Sequence, residues 1–167
     1  MNTKGKIKQD KVLTAIVGSY PKPKYIFPKS GRKLLDSLGM EMAAYEKEVG
    51  KKTFKKLLDK AALLAIKNQN SAGIDYITDG EERRKHYVLD ILTNLKGIDF
   101  KHLKKISYRG GILQRNVPVV KAKIEYKKTF LKKEFKFTSK YAKGLAKIGL
   151  PGPSTVVDCV ADDYYNG

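Results

Sequence analysis

Residues 76 to 87 read YITDGEERRKHY. Tyr76, Ile77 and Thr78 suit a short strand, and Asp79-Gly80 is a turn signal. Four charged residues follow at once: Glu81, Glu82, Arg83 and Arg84. Such a turn is either surface decoration or a substrate site at the end of a barrel strand. The flanking sequence decides between them.

Immediately upstream, KKTFKKLLDKAALLAIKNQNSAG (residues 51–73) is the clearest helix. Phe54, Leu57, Leu58, Ala61, Ala62, Leu64 and Ala65 recur at helical spacing, and Gly73 suits the C-terminal cap. Residues 30–50 read as helical, with a break near Gly39. Earlier still, KVLTAIVGSYP (11–21) predicts a buried strand over Val12–Val17 that opens into a loop at Gly18-Ser19. Pro21, Pro23 and Pro28 keep the next stretch extended.

Downstream, a helix is predicted through Tyr87, Leu89, Ile91, Leu92 and Leu95. Residues 97–116 read as irregular. VPVVKAKIEY (117–126) predicts a third strand, and residues 131–143 a helix carrying Phe135, Tyr141 and Ala142. AKIGLPGPSTVVDCVADDYY predicts a fourth short strand, a turn and the start of a helix, with Thr155 and Asp158 at capping-box spacing. Strands alternating with helices imply an α/β fold with parallel pairing. Four such units are half of a (β/α)8 barrel, which normally takes ~250 residues. Residues 1–167 are thus expected to form a single incomplete barrel domain: a truncated product, a split product, or one half of a two-chain barrel. A complete small α/β sheet is the alternative.

The chain carries a net charge of +18, from 30 Lys and 5 Arg against 17 acids. Nucleic-acid binders place Arg where a bidentate fork is needed, whereas these lysines are scattered at solvent spacing. A solvated surface explains them better than a groove, and nucleic acid is not the expected partner. The hydrophobic fraction of 41% is globular. No apolar run is long enough for a membrane span and no signal core follows the basic N-terminus, so a cytoplasmic protein is expected. The single cysteine, Cys159, excludes an intrachain disulfide. It falls near a predicted helix start, but no partnered histidine accompanies it. His86 and His102 lack further ligands at metal spacing, so no zinc site assembles from this sequence.

Three motifs each follow a strand: GSYP, DGEERR and GPST. Singly each is a common turn or helix start; in a barrel all three would lie on the catalytic face. Ser19 offers a hydroxyl and a backbone N–H to a carboxylate, and ionised Glu81 suits an ammonium group. Together they match the two ends of an amino-acid zwitterion. The alternative for Glu81 is a solvated acid paired with Arg84. Glu82, one residue further along the turn, is expected to contribute little to binding such a zwitterion.

TAIVGSYPKP, QNSAGIDYITDGEERRKHY, VPVVKAKI and LPGPSTVVD, in that order, resemble the catalytic barrel of cobalamin-independent methionine synthase, most of all its short, single-barrel branch. The resemblance runs from about residue 12 onward and covers the first half of the family's barrel. It implies a methyltransferase that makes methionine from homocysteine, in which zinc holds the homocysteine thiol as thiolate. It implies that Gly18, Ser19 and Glu81 hold the amino-acid part of homocysteine and that Arg84 orders the loop. The family's zinc ligands, a His-x-Cys pair, a glutamate and a second cysteine, are expected beyond this chain, so no catalytic or metal residue is assigned within it. Cys159 falls where the longer enzymes carry a tryptophan near the folate. The implied methyl donor is methyltetrahydrofolate or a methyl-corrinoid protein, and a second polypeptide would complete the barrel. Alone, the chain is expected to be inactive. The same barrel serves uroporphyrinogen decarboxylase relatives. A non-catalytic remnant or partner subunit and a basic nucleic-acid-associated protein are the competing readings.

Overall fold

The computed structural model describes residues 12–27, 38–108, 111–127, 129 and 131–165. In chain order the elements are a 3-10 turn at Lys24–Ile26, α1 (Leu38–Val49), α2 (Lys51–Ser71), β1 (Tyr76–Ile77), α3 (Leu89–Leu92), β2 (Leu95–Tyr108), β3 (Leu113–Tyr126), α4 (Leu131–Tyr141), β4 (Leu145–Ala146), α5 (Pro153–Val157) and β5 (Ala161–Asp162). The described residues fall into two compact units, one within residues 1–85 and 131–149, the other within 86–130 and 150–167.

The first unit is organised by α2. Phe54, Leu58, Ala61, Ala62, Ala65, Ile66 and Gln69 form its buried stripe, at the three- and four-residue spacing of one helix face. Phe54, Leu58 and Ala61 pack with Ile26, Phe27 and Met42, and the ring of Tyr45 meets Phe54 edge-on at 6.1 Å. Leu64, expected in this stripe, is instead 47% exposed, because it lies at the edge of the stripe beside Ala61, where it borders a shallow pocket open to solvent. The break expected near Gly39 falls at Gly50, whose φ of 81° separates α1 from α2. Gly39 lies inside α1, and residues 30–37 are outside the described residues.

Gly73 does end α2. With φ at 69° it allows Ile74 N–H to donate to Gln69 O and Gly73 N–H to Asn70 O, a Schellman closure. The chain then enters β1, which pairs in parallel with β4 through Tyr76↔Leu145 and Ile77↔Ala146. On its other side Tyr76 forms a parallel bridge with Ala15. Thr14 N–H and Oγ1–H both donate to Asp75 Oδ2 and secure that bridge. Three chain segments thus run side by side in parallel, with β1 in the middle. The expectation of a buried strand over Val12–Val17 is corrected: Val12 and Val17 are exposed, since only Ala15 pairs and no described element covers them. In α4, Phe135 and Tyr141 are also exposed, while Thr138 is buried.

In the second unit β2 and β3 form an antiparallel hairpin, and β3 pairs in parallel with β5 through Val119↔Ala161 and Val120↔Asp162. Val88, Leu92 and Cys159 form its core. Residues 97–116, expected to be irregular, lie largely in this hairpin. Adjacent Lys104 and Lys105, together with Lys96 and Lys101, all exposed, obscure the alternation of β2, and its register shifts twice. The expected third strand exists, but it lies antiparallel to β2 rather than in a parallel crossover. The expected helix from Tyr87 to Leu95 contracts to α3, because Leu95 already pairs with Tyr126. Thr155 is not a helix cap: α5 begins at Pro153 after Gly152, and Asp158 closes its C-terminal end. Cys159 follows that end, not a helix start. The chain is therefore α/β, with parallel and antiparallel pairing.

Candidate functional site

The end of β1 is fixed by a side chain that imitates a neighbouring strand. Buried Gln69 accepts from Thr78 N–H at 2.9 Å and donates to Thr78 O at 2.7 Å, while also donating to Ala65 O. Beyond this anchor the backbone turns through two consecutive left-handed residues, Gly80 (φ 69°) and Glu81 (φ 56°). Glycine fits the first position without cost, and a Cβ there would strike Tyr20 Cβ at 2.8 Å. Glu81 has no such exemption. A non-glycine residue in this conformation costs of order 1–3 kcal/mol, and such strain clusters at functional sites. Asp79 Oδ1 accepts from Glu81 N–H at 3.0 Å and holds the strained residue in place.

Two further segments close on the same turn. Tyr20 N–H donates to Gly80 O at 2.9 Å, and Lys22 Nζ donates to Glu81 O at 2.9 Å, so the loop after Val17 is tied to the loop after β1. Gly18 lies against the Glu81 carboxylate: a Cβ on Gly18 would stand 3.0 Å from Oε1. A Cβ on Gly149 would stand at the same 3.0 Å. Glu81 Oε1 thus sits between two glycines from different loops, in a space that any side chain there would invade. Ser19, next to Gly18, is exposed.

Arg84 is buried and commits its donors to two groups. Nε and Nη2 donate to Glu134 Oε2 at 3.0 and 2.7 Å, and Nη1 donates to Gly149 O at 2.9 Å. Nη1 stands 3.6 Å from Glu81 Oε1. Burial opposes the charge of Arg84, but the hydrogen bonds and charge of Glu134, with Glu81 and Asp79, outweigh it and raise its pKa. Burial and the charge of Glu134 push the Asp79 carboxyl up, against the Glu81 N–H and the arginines.

Glu82 faces inward. It is 1% exposed, and burial pushes its carboxyl up to about 7, against the attraction of Lys22 and with the help of Asp79. Its Oε2 lies 3.8 Å from Lys22 Nζ. Glu82 also borders a shallow pocket of about 220 Å³ between Tyr20–Pro23 and α2. That pocket is walled mainly by Pro21, Pro23, Ala61, Leu64 and Ala65 and offers little to a zwitterion, so the Glu81 turn is the stronger candidate.

The structure therefore brings Gly18, Glu81 and Arg84 together. Gly149, Glu134, Lys22 and Gln69 join them without having been singled out in the sequence. Glu134 had a signal: it is the single acid in α4, LKKEFKFTSKY, among four lysines. Ser154 and Thr155 of GPST lie in α5, in the second unit. His86 Nδ1 accepts from Val88 N–H and Leu89 N–H at the start of α3, and His102 is paired with Asp99 on β2. Among the described residues no group of three or more His, Cys, Asp or Glu is placed to hold a metal ion. The described residues do not fit a zinc site. Among them, too, no helix is long and apolar enough to cross a membrane.

An α/β chain with a strained carboxylate turn at the end of a parallel strand has clear relatives. The chain is 30% identical over 154 residues to methionine synthase of Saccharolobus solfataricus, covering 91% of this chain and 42% of the relative. It is 32% identical, with the same coverages, to methionine synthase of Saccharolobus islandicus. A B12-independent methionine synthase from Shewanella sp. W3-18-1, solved in complex with selenomethionine, superposes with a TM-score of 0.70 at 28% identity, covering 92% of this chain and 42% of that one. No family model matches. The chain is thus a relative of the B12-independent methionine synthases, and it spans about two-fifths of the length of those it matches.

Proposed function

We propose that this chain is the amino-acid-binding part of a methyltransferase of the cobalamin-independent methionine synthase type, acting on homocysteine. The observation that carries the reading is the Glu81 carboxylate, strained into a left-handed turn and set between Gly18 and Gly149. A fold does not hold an acid this way for solubility. An ammonium group would complete its charge, and Ser19, exposed beside Gly18, would receive the carboxylate of the same zwitterion. The selenomethionine bound to the Shewanella relative supports an amino acid of this kind, since the match to that structure covers 92% of this chain.

In this reading residues 14–16, β1 and β4 are neighbouring strands of a (β/α)8 barrel, and the β2–β3 hairpin is an insertion between them. The relatives' additional length supports a further segment, in this or a second polypeptide, that completes the barrel and carries the zinc ligands. Within the chain, Glu81 orients the substrate's α-carbon end, Arg84 fixes the turn, and Lys22 ties the two loops. Zinc, where bound, would hold the homocysteine sulfur as thiolate.

The test is complementation. The chain is combined with the remaining barrel segment of the Saccharolobus solfataricus methionine synthase, with zinc, and methyl transfer to homocysteine is measured. Methyltetrahydrofolate and a methylated corrinoid protein serve as donors in separate arms. The expected result is methionine formation that needs both segments and falls at least tenfold with Glu81→Gln. No turnover with either donor, or turnover indifferent to Glu81, contradicts the reading.

A further inference from the structure

We infer that Glu134 is a positioning residue for the amino-acid site: by keeping the Arg84 guanidinium to itself, it leaves the Glu81 carboxylate open to a ligand's ammonium group. The inference rests on the reading of Glu81 given above and deepens it.

The geometry is a competition of two carboxylates for one cation. Arg84 and Glu81 are three residues apart, and an arginine beside a carboxylate normally closes on it with two parallel hydrogen bonds. Here it does not. Nε and Nη2 are both turned to Glu134 Oε2, and Nη1 is committed to Gly149 O. The remaining approach to Glu81 Oε1, at 3.6 Å, is beyond hydrogen-bond range. Among the described residues this is the one ion contact that Glu81 makes. A carboxylate fully paired with arginine would have little attraction left for an ammonium ion; one held just out of reach keeps it.

The placement of Glu134 fits this role. It is the lone acid of a lysine-rich helix, and it faces a buried guanidinium rather than the neighbouring lysines. Its hydrogen bonds and charge are the largest favourable influences on Arg84, ahead of Glu81 and Asp79. Without its charge, the buried guanidinium would be left short of a counter-ion. Asp79 Oδ1 already accepts from Glu81 N–H. Glu81 is then the nearest acid able to close on Arg84, and the ligand's ammonium group would have to displace it.

The experiment compares two ligands on the full chain by calorimetry: L-methionine, and γ-(methylthio)butyrate, the same molecule without its amino group. The wild type is expected to prefer methionine. Glu134→Gln should reduce that preference about tenfold, while leaving the affinity for the desamino ligand unchanged. A merely structural role would weaken both ligands alike. An unchanged preference in folded Glu134→Gln overturns the inference. Should that variant not fold, Glu134→Asp, which keeps the charge but shortens its reach to Arg84, takes its place. It is expected to lower the preference by less than Glu134→Gln but measurably, and an unchanged preference in that folded variant also overturns the inference. Glu81→Gln separates the two levels of the argument. If it retains the preference, or if the wild type shows none, the reading of Glu81 fails. If Glu81→Gln abolishes the preference and Glu134→Gln does not change it, the role of Glu134 alone fails.

Discussion

In the Asp79–Arg84 turn, Asp79 and Glu82 are each 1% exposed and Arg84 is 3% exposed. On the β2–β3 hairpin the side chains of Lys96, Lys104 and Lys121 are 60%, 53% and 51% exposed, in ion pairs with Glu125 and Asp163. The two regions are built from the same residue types, yet their acids respond in opposite directions. In the turn, burial pushes the Glu82 carboxyl up to about 7. On the hairpin, the His102 ring and the N–H groups of Lys101 and His102 bring the Asp99 carboxyl down to about 2. Lys104 and Lys121 likewise hold Asp163 below its ordinary value. Acids near the surface gain partners and keep part of their hydration. Buried acids lose hydration that their partners only partly replace. Charge on the hairpin therefore serves the surface, whereas charge in the turn is held there at a cost in stability, as expected of a site.

That contrast can be broken by removing one partner from each region. Arg84→Met leaves the partly buried Glu134 without its counter-ion. It is expected to destabilise the chain by about 3–5 kcal/mol, measured by urea unfolding. A loss below about 1 kcal/mol would place Arg84 with the surface pairs.

Glu82→Gln sharpens the comparison through pH. The folded-state pKa of Glu82 is about 7 against an ordinary 4.5, so the folded form binds the proton more tightly. Stability from this group is therefore lost as pH rises from about 4.5 to about 7. Glutamine cannot ionise. The variant should match the wild type near pH 4 and exceed it above pH 7, by up to about 3 kcal/mol. Thermal melts across that range check it. A wild-type excess at high pH would show that the Lys22 pairing outweighs burial.

Lys96→Ala, on the hairpin, should change stability by no more than about 0.5 kcal/mol, and less in high salt. Urea unfolding at two salt concentrations is the measurement. A loss comparable to that of Arg84→Met would erase the distinction between the two regions.

The sequence revealed the parts of this fold in which one physical signal dominates. The α2 stripe and the Gly73 stop follow from spacing and from glycine, and both are present. The hairpin was missed because β2 carries lysine on both faces and so lacks the alternation of a half-buried strand. Val12–Val17 reads as buried because it is β-branched and apolar, but burial depends on what covers a strand, which composition does not specify. At the candidate site, Gly18, Glu81 and Arg84 stood out because they lie in turns directly after strands. Gly149 and Glu134 meet them only through pairings some 50 to 70 residues apart in the chain, namely Arg84 with Glu134 and with Gly149 O. The burial of Glu82 was not legible, because adjacency in a turn does not say which of two acids points inward.

The account depends most on Glu81 as the receiver of an amino acid's ammonium group. Calorimetric titration of L-homocysteine into the chain and into Glu81→Gln tests this directly. A charge-assisted hydrogen bond of this kind is worth about 1.5–3 kcal/mol, so the variant should bind about tenfold more weakly or worse. Equal affinities for the two proteins would contradict the account and return Glu81 to a structural acid at the end of a strand.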